Sequence, residues 1–381
     1  MASSGRGGGG RAARFFGGVL LLLAGPLSAA CAPSPHWTDF REGLISRDGR
    51  VIDPSSPALI TTSEGQAYGL FLALVNDDRD TFERLLTWTG NNLAAGDLSR
   101  HLPAWQWGRA EDGEWRVLDS NAASDADVWM AYALTEAARR WQEPRYEALG
   151  RALAAQVMAS ETVRLPGLGL MLLPGPVGFH PAAGRWRLNP SYLPVQVLRG
   201  LATRLDEPAW GEVADSAVRL LTRAAPHGFA PDWVLYDAAR GLMPDADSRA
   251  AGSYNAIRVY LWVGMMPAGD SASTTLKLAY APMHERVLST QMVPEEVDAS
   301  TGVVRAEPGP PGFAHAVLPL LEALADSERE RRFTHLFRQH VEALPLAGYY
   351  NQVLRLFSQL WLQGRYRFAA DGSLILSQEC R

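Results

Sequence analysis

The stretch Thr61-Thr62-Ser63-Glu64-Gly65-Gln66-Ala67-Tyr68-Gly69 decides how the chain is read. Hydroxyl residues that can cap orphan N–H groups open it, and an apolar ladder at Ala67, Leu70, Phe71 and Leu74 follows at helical spacing. It is the mouth of a helix, and a polar one. Glu64, Gln66 and Tyr68 stand beside two glycines that admit a ligand or another backbone closely. An acidic residue in a first turn is ordinarily a carboxylate favoured by the helix dipole. Taken alone, Glu64 does not separate a cap from a catalyst.

Outward from this mouth the same pattern recurs. A short amphipathic helix over Trp37 to Ile45 and a turn at Asp48-Gly49-Arg50 precede it. Apolar periodicity predicts further helices over 63–75, 81–94, 124–141, 145–160, 191–205, 209–224, 252–265, 272–290, 312–325, 328–343 and 348–363. Gly150, Gly200 and Gly264 read as helix stops, and Pro144, Pro166, Pro208 and Pro226 as breakers between helices. Strand signals are confined to Trp115–Leu118 and Leu168–Leu173, and no glycine-rich phosphate loop follows a strand. Many helices without a heptad repeat predict an all-α fold, stacked helical hairpins closed on themselves as an α/α toroid. No composition break divides it.

The chain has 381 residues, is 47% hydrophobic and 20% charged, and so can build a large core. A net charge of −5 gives no basic footprint for nucleic acid. Residues 1–30 place Arg6, Arg11 and Arg14 before the apolar run Phe15–Leu23 and the small residues up to Ala30, the layout of a secretory signal. That run is too short for a stable anchor, so residues 31–381 are expected to be one exported, non-spanning domain, periplasmic or secreted, and a monomer is expected. Cys31 and Cys380 are the two cysteines. In an oxidising compartment a bridge between the termini is the economical reading, and lipid attachment at Cys31 is its competitor.

The long inter-helix stretches are aromatic and polar: Trp105, Trp107 and Trp115, then Asn189, Tyr192, Asp232 and Trp233. Indoles beside amides and carboxylates suit sugar rings, which stack a C–H face while their hydroxyls take hydrogen bonds. Core burial is the competing fate of such tryptophans. A second polar helix mouth, Ser124-Asp125-Ala126-Asp127-Val128-Trp129, carries two carboxylates whose i, i+2 spacing points them in different directions. Histidine chemistry, metal ligation and a serine nucleophile elbow find no motif, and no cofactor is implied.

With Glu64 in Thr-Thr-Ser-Glu-Gly-Gln-Ala-Tyr-Gly and Asp125 in Ala-Ser-Asp-Ala-Asp-Val-Trp-Met-Ala-Tyr-Ala-Leu, the chain resembles glycoside hydrolase family 8, particularly its periplasmic members encoded beside bacterial cellulose synthases. Asp48–Asp53, Leu102–Trp105, Leu188–Tyr192, Pro231–Val234 and Ser253–Tyr260 carry the likeness across the mature chain. The resemblance implies an (α/α)6 barrel and an endo-1,4-β-glucanase that inverts the anomeric carbon, acting in cellulose biosynthesis. Glu64 would be the proton donor and Asp125 the second carboxylate at the cleavage subsite. Tyr68, Trp105, Trp107, Trp115, Asp127, Trp129, Asn189, Tyr192, Asp232, Trp233, Tyr254 and Arg258 would line the glucan cleft. The cellulose synthase complex is a candidate partner. Chitosan, xylan and mixed-linkage glucan remain alternative polymers.

One position departs from the pattern. Most of the family carries aspartate as the water-activating base where this chain has Asn255. An amide orients water but does not accept its proton. Three accounts stay open: a base supplied by Asp125, Asp127 or Asp232, a slow enzyme, or a glucan-binding accessory without turnover.

Overall fold

The computed structural model describes residues 33–377, together with Met1 and residues 4–9. The proposed cysteine bridge and most of the signal lie outside the described residues. The helices are α1 (Pro35–Leu44), α2 (Ser63–Val75), α3 (Arg79–Asn92), α4 (Ser124–Trp141), α5 (Pro144–Ser160), α6 (Val195–Leu205), α7 (Pro208–Arg223), α8 (Ile257–Gly264), α9 (Ser273–Ala279), α10 (Ala281–Thr290), α11 (Pro311–Leu324), α12 (Glu328–Glu342) and α13 (Tyr349–Leu362). Packing resolves them into two rings. α2 touches α4, α4 touches α6, and the circuit continues through α8, α11 and α13 back to α2. Each inner helix has an outer neighbour: α3, α5, α7, α9, α12 and, against α13, α1. This is the (α/α)6 barrel. Because each outer helix returns the chain, the inner helices run the same way and present their N-termini at one end.

Aromatic side chains fill the centre. Tyr68 and Phe71 from α2, Trp129 and Tyr132 from α4, Trp262 from α8 and Phe357 from α13 are all buried. Phe71 stacks on Phe357 at 5.4 Å and meets the edge of Trp129 at 4.9 Å. Trp129 is 0% exposed, so this residue, expected to line the cleft, belongs to the plug instead. Its place on α4, facing the toroid axis, leaves no surface for a sugar.

Small antiparallel sheets decorate the loops. Thr61–Thr62 pairs with Gln106–Arg109, which pairs with Trp115–Asp119. Arg185–Leu188, Val234–Asp237 and Gly241–Pro244 form a second sheet, and Ala251–Gly252, Glu296–Asp298 and Val303–Ala306 a third. The two expected strands appear as Trp115–Asp119 and Gly169–Leu172. The others escape the sequence because they are short, half-exposed and do not alternate cleanly.

Four helix readings need correction. The run 272–290 breaks at Tyr280, and Pro282 takes the first turn of α10, where its missing N–H costs nothing. α6 starts at Val195 because Pro190–Tyr192 forms a separate 3-10 turn. α8 starts at Ile257, leaving 253–256 as a turn. Gly150 and Gly200 lie inside α5 and α6 rather than ending them. A Cβ at Gly200 would stand 2.4 Å from the Tyr132 ring, so glycine there buys close packing.

Candidate active site

The N-terminal ends of the inner helices converge, and so do their polar residues. Thr62 caps α2, its hydroxyl accepting the Gly65 N–H at 3.0 Å. This sets Glu64 in the first turn of α2 with its side chain 20% exposed. Gln66, one turn face away, is structural: its carbonyl accepts the Val51 N–H, and its amide donates to Gly49, Leu85 and Thr89. Asp125 sits in the first turn of α4 with its side chain 2% exposed. Both carboxylates lie where the helix dipole is positive.

Arg258, in the first turn of α8 and 3% exposed, ties them together. Its Nη1 donates to Glu64 Oε2 at 2.5 Å, to Asp125 Oδ2 at 2.9 Å and to the Tyr68 hydroxyl at 3.1 Å. Its Nη2 donates to Asn255 Oδ1 at 2.9 Å. Burial opposes the arginine's charge, but Tyr68, Glu64, Tyr350 and Asp125 more than offset this and hold its pKa well above the ordinary value. Tyr349, the first residue of α13, donates its hydroxyl to Glu64 Oε1 at 3.1 Å. Tyr192 places its ring 5.5 Å from the guanidinium.

Burial pushes the Asp125 carboxyl up to about 7, with Arg258 opposing and Glu64 adding to the rise. Its Oδ1 accepts the Ala126 N–H at 2.8 Å. Asp127, expected to bind substrate, is 0% exposed and turned away from the cleft, as the i, i+2 spacing requires. Glu161, equally buried, stands beside it, and the carboxyl oxygens of both meet no hydrogen-bond partner among the described residues. Burial, the Glu161 charge and the Asp125 charge all push Asp127 well above the carboxylate range. Burial and the Asp125 charge raise Glu161 to about 8.

Across the guanidinium from Glu64 stands Asn255. A guanidinium only donates, so the atom facing Arg258 is the amide oxygen. The same oxygen accepts from Asn189 Nδ2 at 3.2 Å, and Asn189 is itself locked by Ser191. The Asn255 amide nitrogen is left to face outward with two donors. Asp232 anchors this turn: its Oδ1 accepts the N–H groups of Ser253, Asn255 and Ala256 at 2.9, 2.9 and 2.8 Å. Burial raises the Asp232 carboxyl, and those N–H groups and Arg258 hold it back.

The flanks are aromatic. Trp107 stacks on Trp115 at 5.3 Å and meets Trp88 edge-on, while Arg50 lies 4.5 and 4.8 Å from the Trp107 and Trp115 rings. Trp105 is half-buried, and its carbonyl accepts the Ser63 N–H beside Glu64. On the other side Trp233 lies 5.9 Å from Phe179 and 6.4 Å from Tyr192, with Arg187 over its ring at 4.3 Å. Tyr254 is 50% exposed, donates to Glu295 at 3.2 Å and packs beside Tyr350. The structure thus brings Glu64, Tyr68, Asp125, Asn189, Tyr192, Asp232, Asn255 and Arg258 together, with the tryptophans and Tyr254 around them. Tyr349, Glu161 and Glu295 were missed, because their partners lie far away in sequence and nothing around them marks a motif; Arg50 was read only as part of a turn and of the Asp48–Asp53 likeness.

Comparison with known proteins agrees with this geometry. The model of glycosyl hydrolases family 8 matches residues 15–364. The Endoglucanase of Escherichia coli strain K12 is 46% identical over 363 residues, spanning 94% of this chain and 95% of that protein. The Endoglucanase of Xanthomonas axonopodis pv. citri is 43% identical, over 93% of this chain and 91% of its own. The crystal structure of endo-1,4-D-glucanase from Vibrio fischeri ES114 superposes with a TM-score of 0.83 at 41% identity, covering 90% of this chain and 98% of that one. The chain belongs to glycosyl hydrolase family 8.

Proposed function

We propose that this chain is an exported endo-1,4-β-glucanase that cuts β-1,4-glucan with inversion during cellulose synthesis. The observation that carries this reading is the Glu64–Arg258–Asp125 cluster at the N-terminal ends of three inner helices, set between two aromatic flanks. The endoglucanase relatives and the signal-like first thirty residues support it.

Glu64 protonates the leaving glycosidic oxygen as the C–O bond breaks. Its neighbour Tyr349 suits that task, because a phenol accepts a hydrogen bond as readily as it donates one. Burial first, and the Glu64 charge next, hold Tyr349 well above its ordinary pKa, so it stays a neutral phenol in either protonation state of Glu64. Asp125 and Tyr192 border the sugar at the cleavage subsite, and Arg258 holds both carboxylates in position. Rigid support of this kind converts binding energy into orientation. Trp105, Trp107, Trp115 and Trp233 extend the cleft along the polymer.

Asn255 favours a second reading, a glucan-binding accessory without turnover. Reducing ends released from soluble carboxymethylated cellulose separate the two. Glu64→Gln is expected to lower kcat by at least 10²–10⁴-fold while cellohexaose binding stays nearly intact. Loss of binding with unchanged turnover per bound substrate would sink the assignment of Glu64.

A further inference from the structure

Resting on the reading above, we propose that Asp232 is the general base of this hydrolase, taking the proton from a water that the Asn255 amide orients. Asn255 itself presents donors to the cleft, because Arg258 and Asn189 both occupy its oxygen. The base must therefore be a carboxylate elsewhere.

Two candidates fail on geometry. Glu64 and Asp125 share one guanidinium nitrogen at 2.5 and 2.9 Å. Asp125 is also 2% exposed, and its two oxygens are taken by Arg258 and by the Ala126 N–H, which leaves neither for water. Asp127 is fully buried on the face of α4 turned towards Glu161, out of reach of water in the cleft.

Asp232 meets the requirements. Its Oδ1 binds the Asn255 N–H directly, so the carboxylate adjoins the residue that occupies the family's base position. Its Oδ2 meets no hydrogen-bond partner among the described residues, and the residue keeps a partly exposed edge. The division of labour is complete: one oxygen fixes the turn, and the other is left for water. Arg258, Tyr260 and Tyr350 are the ionisable groups coupled to it. Burial raises its pKa from the ordinary value, towards the range in which a carboxylate accepts a proton near neutrality. In the step, the water oxygen bonds to the anomeric carbon as the glycosidic bond breaks. The Glu64 proton passes to the leaving oxygen, and the water proton passes to Asp232.

Asp232→Asn makes the test sharp, because an amide oxygen still accepts the three N–H groups and spares the turn. In the full chain, kcat on cellohexaose is expected to fall about 10²–10⁴-fold with KM and melting temperature nearly held. Azide, which attacks without a base, should restore turnover and give the inverted glycosyl azide. Adding Asn255→Asp to Asp232→Asn should recover much of the wild-type rate. An active wild type whose Asp232→Asn variant keeps more than a tenth of kcat would overturn the assignment and leave the proposed function standing. So would a loss that neither azide nor Asn255→Asp repairs, or the same azide-rescued pattern from Glu295→Gln. A wild type inert on every β-glucan would overturn both.

Discussion

The two walls of the cleft are built by different means. The acid wall carries Glu64 and Asp125 on the first turns of α2 and α4, and their oxygens are held by Arg258 from α8 and Tyr349 from α13. Those partners lie 133 to 285 residues away, so this wall exists only once the toroid has closed. The opposite wall is tied over shorter spans. Residues 253–256 hang on Asp232 Oδ1, on the Glu295 carbonyl that accepts the Ser253 hydroxyl, on the Tyr350 hydroxyl that donates to the Tyr254 carbonyl, and on the short pairing of Ala251–Gly252 with Glu296–Asp298. The backbone of this turn is thus fixed independently of the Asn255 side chain. At position 255 an amide oxygen accepts from Arg258 and Asn189 just as a carboxylate oxygen would, so asparagine and aspartate differ there only in the second, outward atom.

The largest break in this comparison is Arg258→Met. It strips the guanidinium from Asp125, which is buried, and from Glu64, Tyr68 and Asn255 at once. Removing one partner of a buried ion pair costs about 3–5 kcal/mol. Urea unfolding should show a loss of that size, together with loss of turnover. A loss below about 1 kcal/mol would mean that the walls stand independently, and the contrast drawn above would fail.

The same contrast explains what was legible in the sequence. Glu64 and Asp125 lie in the first turns of apolar-periodic helices, so local pattern placed them correctly at one end of the fold, whereas Arg258 fell in mid-helix in the sequence reading and was named only by the family resemblance. The helices themselves were visible because each buries a continuous stripe. Trp129 was misread because the Asp-rich mouth beside it suggests a cleft, whereas α4 turns that side chain towards the axis. Tyr349 and Glu161 were invisible because their importance comes from partners brought near by closure of the rings, which no local spacing encodes. The other strands escaped for a related reason: pairs of two to five residues are fixed by the loops they join.

A middle-sized effect tests what lies behind the acid wall. Asp127 and Glu161 are buried carboxyls raised chiefly by burial, Glu161 to about 8 from an ordinary 4.5, and Asp125 in front of them rises to about 7. Raised carboxyls hold protons in the folded state that the unfolded chain has already released. Their contribution is therefore present at low pH and is lost as pH climbs from about 4.5 towards 8. Urea midpoints measured between pH 5 and pH 8 should fall across this window, and Glu161→Gln should flatten the slope. An unchanged slope in the variant would show that Glu161 releases no proton in this window.

The smallest expected effect sharpens the acid wall's outer limit. Trp115 is 44% exposed and stacks on Trp107 at 5.3 Å, on the hairpin whose inner strand pairs with Thr61–Thr62 just before Glu64. Its contacts with Trp107 and Arg50 are surface contacts, so Trp115→Ala should cost about 1 kcal/mol of stability or less. A platform that binds sugar equally before and during cleavage raises KM when removed and leaves kcat alone. The expected result is a several-fold rise in KM on long chains, a smaller rise on cellotetraose, and an unchanged kcat on both. A fall in kcat at constant KM would bring the hairpin into the cleavage subsite. The acid wall would then include Trp115, and its rigidity would rest on a loop sheet as well as on the closed ring of helices.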